Sequence, residues 1–175
     1  MRGSEKLVHL DNCTPGMAQA LPDLPMDKTV MVRLLRIGFF GMASYFEQVF
    51  RDADISENGF HVLCLLAATE SGSESPTELA EMVGTSRSNT TRLLNELTTS
   101  GYVERTAGCR DARRQLVTIL PAGRKKVDET VLRVSEPLEN AFSDLSKTEL
   151  AQLGFLLRKM IVSFDKSARA LRIVA

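Results

Sequence analysis

The residues with the most chemistry to offer stand in "TSRSNTTRLLNELTT", residues 85–99, where hydroxyls, amides and guanidinium groups open a segment with leucines at helical spacing. At about 100° per residue, Thr90, Leu93, Leu94 and Leu97 share one face, and Ser88, Arg92, Asn95 and Thr99 share the opposite one. Asn89 and Thr91 flank the polar face, and Arg87 projects from the first turn beside Ser86. These groups suit the major groove of B-DNA, which admits one helix. Arg matches guanine, Asn matches adenine, and Ser or Thr can meet a base or a phosphate. A helix N-terminus adds free N–H groups and partial positive charge toward phosphate oxygens. Ser, Thr and Asn are also ordinary capping residues, so the segment alone fits both readings.

The charge distribution favours DNA. Lys+Arg and Asp+Glu are both 22 over the whole chain, which by itself points to no partner. From Ser86 to Lys126, however, Arg87, Arg92, Arg105, Arg110, Arg113, Arg114, Arg124, Lys125 and Lys126 face only Glu96, Glu104 and Asp111. A local excess of this kind suits counterion release from a polyanion. Within it, "CRDARR" reads as a hairpin tip in which Asp111 can pair with Arg113, leaving Arg110 or Arg114 free for a phosphate or a narrow minor groove.

Other chemistries find less support. No nucleophile with a base, phosphate-cradling glycine loop or paired carboxylates has catalytic spacing, so no enzyme activity, catalytic residue or cofactor is expected. His9 and His61 are the only histidines and stand apart from the cysteines, so no metal site is expected either. Cys13, Cys64 and Cys109 are scattered, and the N-terminus lacks a secretory pattern, which points to a reduced, cytoplasmic protein. Cys64 reads as core. Cys109 beside Arg110 leaves a redox-responsive regulator as an alternative, and a winged helix used for protein contacts is another. In "VMVRLLRIGFFGMASYFEQVF" the uncharged run from Ile37 to Phe46 falls short of the roughly 18 residues of a membrane span, so a buried helix is expected and no membrane partner.

The elements that must position the polar segment follow from caps and periodicity. Residues 1–26, with Pro15, Gly16, Pro22 and Pro25, read as an extended or flexible arm. A helix over 27–52, apolar over most of its circumference, must be buried on more than one side, in a small protein often by a partner subunit. Ser56 caps the next helix, in which Phe60, Leu63, Cys64 and Ala67 keep helical spacing. Ser75 and Glu78 form a capping box, Pro76 takes the first helical position, and Gly84 ends that helix. Thr85 or Ser86 then caps the polar segment, giving helix-turn-helix, and "YVERT" and "QLVTIL" form a hairpin after it. Val127, Val131, Val134, Leu138 and Phe142 outline a helix that Pro137 should kink or stop. Ser146 and Glu149 open the last helix, with an apolar stripe from Leu150 through Leu153, Leu157, Met160 and Ile161 to Phe164. The fold expected is mainly α with a small β-wing: a winged helix-turn-helix over 53–122, flanked by dimerisation helices over 27–52 and 123–175.

"PTELAEMVGTSRSNTTRLLNELTTSGYVERTAGCRDARRQLVTILPAG" resembles the winged-helix core of the MarR family, the multiple-antibiotic-resistance type of bacterial regulator, and looks closest to its multidrug-efflux repressor branch. The resemblance is carried most specifically by "SRSNTTRLLNEL", "SGYVER", Asp111-x-Arg113 and Gly123, and extends in length and order of helices over about residues 28–166. It implies a homodimer with interlocked terminal helices that reads a pseudo-palindromic operator in double-stranded DNA, usually as a repressor released by a small aromatic or lipophilic ligand. It further implies that the helix from Ser86 enters the major groove and that Arg113, held by Asp111, works in the wing. Leu120-Pro121 stands where the family often has a capping Thr, so the helix after the wing is expected to start differently. A pocket between dimer helices and DNA-binding lobe would draw on residues such as Phe39, Met42, Phe46 and Arg87, although an apolar dimer core accounts for the same residues equally well.

Overall fold

The computed structural model describes the backbone of residues 2–108 and 111–174, and the side chains of residues 2–106 and 115–170. Its elements are α1 (Gly3–Ala20), α2 (Met26–Asp52), α3 (Glu57–Ala68), β1 (Ser73–Glu74), α4 (Pro76–Val83), α5 (Arg87–Thr99), β2 (Val103–Gly108), β3 (Asp111–Ile119), α6 (Pro121–Ala141) and α7 (Lys147–Val174). The strands form an antiparallel three-stranded sheet in the order β1-β3-β2. This is the winged helix-turn-helix expected, mainly α with a small β-wing. Met1–Val131 make one compact unit and Leu132–Ala175 a second.

The caps act where the sequence places them. Ser56 Oγ accepts from Gly59 N–H at 3.1 Å, and Ser75 Oγ accepts from Glu78 N–H at 3.2 Å. The box at Ser75 is closed differently from the expected pattern. Its hydroxyl donates to Glu78 Oε2 at 2.6 Å, while its backbone N–H goes to Glu74 Oε1 at 2.9 Å. Gly84 ends α4 at φ 71°, a left-handed conformation that costs an L side chain but not glycine. Thr85 N–H then returns to Ala80 C=O at 3.1 Å, closing the turn that aims α5.

The core lies between α3, α4, α5 and the sheet. Val62, Leu63, Leu66, Leu79, Leu93, Leu94, Leu97, Val103, Val117 and Ile119 form one buried cluster. Each aliphatic side chain buried there contributes roughly 1.5–3 kcal/mol relative to exposure. On α3 the buried set is Gly59, Val62, Leu63 and Leu66, while Phe60, Cys64 and Ala67 are only half-buried. The expected stripe is therefore offset, because Phe60 turns instead toward α2, its ring 5.5 Å from that of Phe50.

Several expectations are corrected. Residues 3–20 are helical rather than an extended arm: α1 packs along α2 and buries Leu10, and tertiary packing overrides the breakers Pro15 and Gly16. Pro22 and Pro25 do fall in the connection. Pro137 does not stop α6, which runs on to Ala141. In the single chain α2 is mostly exposed rather than buried, with Phe39 at 67%. Its length and mean hydropathy would also pass for a membrane span, but Arg33 and Arg36 interrupt it and α1 lies along it. The two-residue β1, which pairs Ser73 with Thr118 and Glu74 with Val117, has no counterpart among the expected elements.

The junction into α6 is tight. Leu120 N–H donates to Tyr102 C=O at 2.9 Å, and Pro121 begins the helix where its missing N–H does no harm. A Cβ on Gly123 would meet that same Tyr102 oxygen at 2.3 Å, so only glycine lets α6 pass the end of β2 so closely. In the second unit, Ser146 N–H donates to Glu149 Oε2 at 2.8 Å and Glu149 N–H to Ser146 Oγ at 3.3 Å, the capping box expected at the start of α7.

Candidate nucleic-acid interface

Burial divides α5 as its periodicity requires. Thr90, Leu93, Leu94 and Leu97 are buried, Ser88, Arg92, Asn95 and Thr99 are exposed, and Arg87 and Thr91 are exposed beside them. The inner hydroxyl of Thr90 is satisfied by Ser86 C=O at 3.0 Å. Ser86 is the N-cap, its Oγ accepting from Asn89 N–H at 3.3 Å and lying 3.1 Å from Ser88 Oγ. Arg87 has no carboxylate partner among the described residues. The helix start thus presents hydroxyls, unpaired backbone donors and an unneutralised guanidinium to solvent.

Arg92 is held on both sides. One guanidinium nitrogen pairs with the Glu96 carboxylate, and another donates to Asn89 Oδ1 at 3.1 Å. Asn89 in turn donates to Thr85 Oγ1 at 2.7 Å. Thr85, Asn89, Arg92 and Glu96 therefore form a polar line along the outer surface of α5. An exposed i,i+4 pair like Arg92–Glu96 is worth only about 0.3–0.5 kcal/mol, so a base edge or phosphate can displace Glu96 at little cost. The four-residue spacing makes this pair legible in the sequence.

Arg105 on β2, which sequence reasoning counts only as part of the basic excess, donates to Thr91 C=O at 3.2 Å. It ties the strand entering the wing to the middle of α5. No pattern in the sequence marks that contact, which depends on how β2 crosses the helix. At the base of the sheet, Arg124 donates to Ala67 C=O at 3.4 Å, and Lys126 lies 5.8 Å from the Tyr102 ring centroid. Those members of the basic segment are engaged with the fold.

The side chains of Asp111, Arg113 and Arg114, and Arg110 and Cys109 altogether, lie outside the described residues. For the strands themselves, β2 pairs with β3 from Val103↔Ile119 to Ala107↔Gln115, then shifts register to Gly108↔Asp111. The four residues expected to hold a ligand stand on two elements, three on α2 and one on α5. Phe46 is buried, edge-on to Tyr45 at 5.2 Å, whereas Phe39 and Met42 are exposed on α2 and Arg87 is on α5. Among the described residues, two cavities bordering α2 stand out. One, of about 550 Å³, is lined by Ala43, Glu47, Phe50, Arg51 and residues 54–58, and the other, of about 340 Å³, lies against α1; neither includes any of the four.

Titratable groups at the helix starts shift for local reasons. Hydrogen bonding to Glu78 raises the Glu74 carboxyl above its ordinary value, against the lowering effect of Ser75 N–H. Bonds from Ser146 lower Glu149, and Lys28 lowers Asp27. Burial raises the Cys64 thiol, which disfavours its reactive thiolate. Cys13, on α1, has its sulfur 3.5 Å from His9 Nε2.

Comparison with known proteins agrees with this geometry. Residues 57–107 match the IclR helix-turn-helix domain. The chain is 28% identical over 144 residues to the transcriptional repressor MprA of Escherichia coli K12, covering 82% of each protein. It superimposes on BpsR of Bordetella bronchiseptica, whose DNA binding is regulated by 6-hydroxynicotinic acid, with a TM-score of 0.67 and 25% identity over 73% of this chain and 89% of that one. It also superimposes on a mutant of Escherichia coli MarR complexed with operator DNA, with a TM-score of 0.68 over 82% of this chain and 96% of that one; at 23% identity that likeness is one of fold. These relatives are regulators rather than enzymes.

Proposed function

We propose that this chain, a MarR-type winged-helix transcriptional regulator, acts as a cytoplasmic homodimeric repressor that binds a pseudo-palindromic operator and is released by a small aromatic or lipophilic ligand. The observation that carries the DNA-reading part is the division of α5: a capped, acid-poor polar face opposite four buried residues. In this reading Ser86, Arg87, Ser88, Asn89, Thr91, Arg92 and Asn95 face the major groove. Arg110, Asp111, Arg113 and Arg114 work in the wing.

The dimer is supported by apolar side chains the single chain leaves uncovered, among them Phe39 and Phe40 on α2, and Phe155, Ile161 and Phe164 on α7. Exposed apolar surface of that extent marks an interaction site. Segments 27–52 and 123–175 then serve dimerisation, and 53–122 DNA binding. Two lobes related by a two-fold axis fit half-sites about 10 base pairs apart, one turn of DNA. Ligand release is supported by the likeness to BpsR, with Phe39, Met42, Phe46 and Arg87 as lining residues completed by the partner subunit.

Selection of bound sequences from random duplex, followed by fluorescence anisotropy over a salt series, tests the reading. A recovered inverted repeat bound by two chains, with affinity falling steeply as salt rises, is expected. Binding that is indifferent to sequence and salt would refute it.

A further inference from the structure

Away from the recognition lobe, α1 and α2 border an open cleft of about 340 Å³ lined by Lys6, His9, Leu10, Arg33, Arg36 and Ile37. Three of these side chains, Lys6, Arg33 and Arg36, are basic. Among the described residues no carboxylate lies within ion-pair distance of Lys6, Arg33 or Arg36. Their existing contacts are weak ones. Arg33 donates to the thioether sulfur of Met17 at 3.2 Å, and Lys6 lies 5.0 Å from the Phe40 ring centroid. Like charges gathered without a counter-charge repel one another, so an anion seated between them lowers the energy of the folded state.

The rest of the lining is hydrocarbon. Leu10 is 3% exposed and Ile37 half-buried, forming an apolar floor below the cations. An inorganic ion would leave that floor wet, and a neutral apolar molecule would leave the charges unanswered. The volume stands at the lower end of the roughly 300–1,000 Å³ of small-molecule pockets, which excludes a polymer.

We propose that this cleft binds a small amphipathic organic anion, a carboxylate on a short aliphatic or single-ring body. Lys6, Arg33 and Arg36 surround its head, and Leu10 and Ile37 pack against its body. The site is distinct from the one assigned above to Phe39, Met42, Phe46 and Arg87, and its occupancy does not depend on operator release.

The full-length protein is titrated calorimetrically with hexanoate and benzoate, with hexanamide and benzamide as neutral counterparts and acetate as an anion without a body. Hexanoate and benzoate are expected to saturate one site per chain, with the amides and acetate weaker by about tenfold or more. Arg33→Gln combined with Arg36→Gln should weaken hexanoate by a similar factor of about ten. Lys6→Gln, on the α1 side of the cleft, provides the same reading if the double variant does not fold. Photolabelling with 4-azidobenzoate should mark peptides of α1 or α2. Equal binding of acid and amide, acetate as tight as hexanoate, unchanged affinity in a folded charge variant, or label confined to other elements would each overturn the proposal. Operator binding followed in parallel tests the regulatory reading alone.

Discussion

Arg105 of β2 donates a guanidinium N–H to the main-chain carbonyl of Thr91 at 3.2 Å, so the strand entering the wing grips the middle of the helix that carries Ser88, Arg92 and Asn95. Its Nε is buried without a partner, so this contact and packing hold the guanidinium in place. With α5 in the major groove as proposed, a small rotation of the helix would sweep its outer side chains across the base edges. We expect Arg105→Met to weaken the selected operator about three- to tenfold more than random duplex, the net worth of one intramolecular hydrogen bond, about 0.5–1.5 kcal/mol. Anisotropy with both duplexes measures the difference. Equal losses would reduce Arg105 to a backbone contact.

Arg92 stands between Asn89 and Glu96 before any DNA arrives. If Arg92 reads a base as proposed, Arg92→Ala is expected to lower affinity for the selected operator more than for random duplex. Glu96→Gln should act in the opposite sense on random DNA. With the competing carboxylate gone, Arg92 is free for phosphate, and the salt slope should steepen by about one. A slope unchanged by Glu96→Gln would mean that Arg92 keeps its intrahelical partners in the complex.

The wing is expected to contribute charge rather than base readout. Arg113→Ala should weaken selected and random duplex alike and lower the salt slope by about one. A loss confined to the selected operator would place Arg113 among the base-reading residues.

Gly123 and Gly16 are both helical glycines, yet they should respond in opposite ways to alanine. A Cβ at Gly123 would sit 2.3 Å from Tyr102 O, a carbonyl already fixed by Leu120 N–H at 2.9 Å, so backbone must move. A Cβ at Gly16 meets nothing within 4 Å. Gly123→Ala is expected to cost about 2 kcal/mol or more through forced displacement. Gly16→Ala should stabilise by roughly 0.5–1 kcal/mol through helix propensity. Urea unfolding of the two variants tests the contrast.

What the sequence makes legible is whatever depends on residues close in the chain. Ser56, Ser75, Ser86 and Ser146 cap their helices within three residues, and the division of α5 follows from its 3.6-residue period. The failures involve packing between distant segments. Pro15 and Gly16 argue for an arm because the face of α2 that receives Leu10 is invisible locally. Periodicity puts Phe60 on the wrong side of α3 because two different elements cover that helix. The Arg105–Thr91 tie spans fourteen residues with no pattern to announce it. Arg92–Glu96 is different, since its spacing is visible and a reading centred on base contacts passes over it.

Two glutamates at helix starts should give opposite contributions to the pH dependence of stability. Glu149 accepts from the Ser146 hydroxyl at 2.6 Å and from its N–H at 2.8 Å, contacts that favour the charged form and hold the carboxyl below the ordinary 4.5. Its folded form binds fewer protons than the unfolded chain. The stabilisation is therefore present above the ordinary value and fades as pH falls through the lowered one. Glu74 shares a hydrogen bond with Glu78 that favours its protonated form and raises its carboxyl above 4.5. Its contribution is full below the ordinary value and is lost as pH rises through the raised one. Carboxyl-carbon NMR titration should find Glu149 low and Glu74 high. Ser146→Ala is expected to raise Glu149 part of the way toward the ordinary range, the backbone N–H contact remaining, without moving Glu74, and Glu78→Gln should lower Glu74 without moving Glu149. If Ser146→Ala left Glu149 unmoved, the hydroxyl could not be the main cause, and the start of α7 would owe its acid sensitivity to some other group.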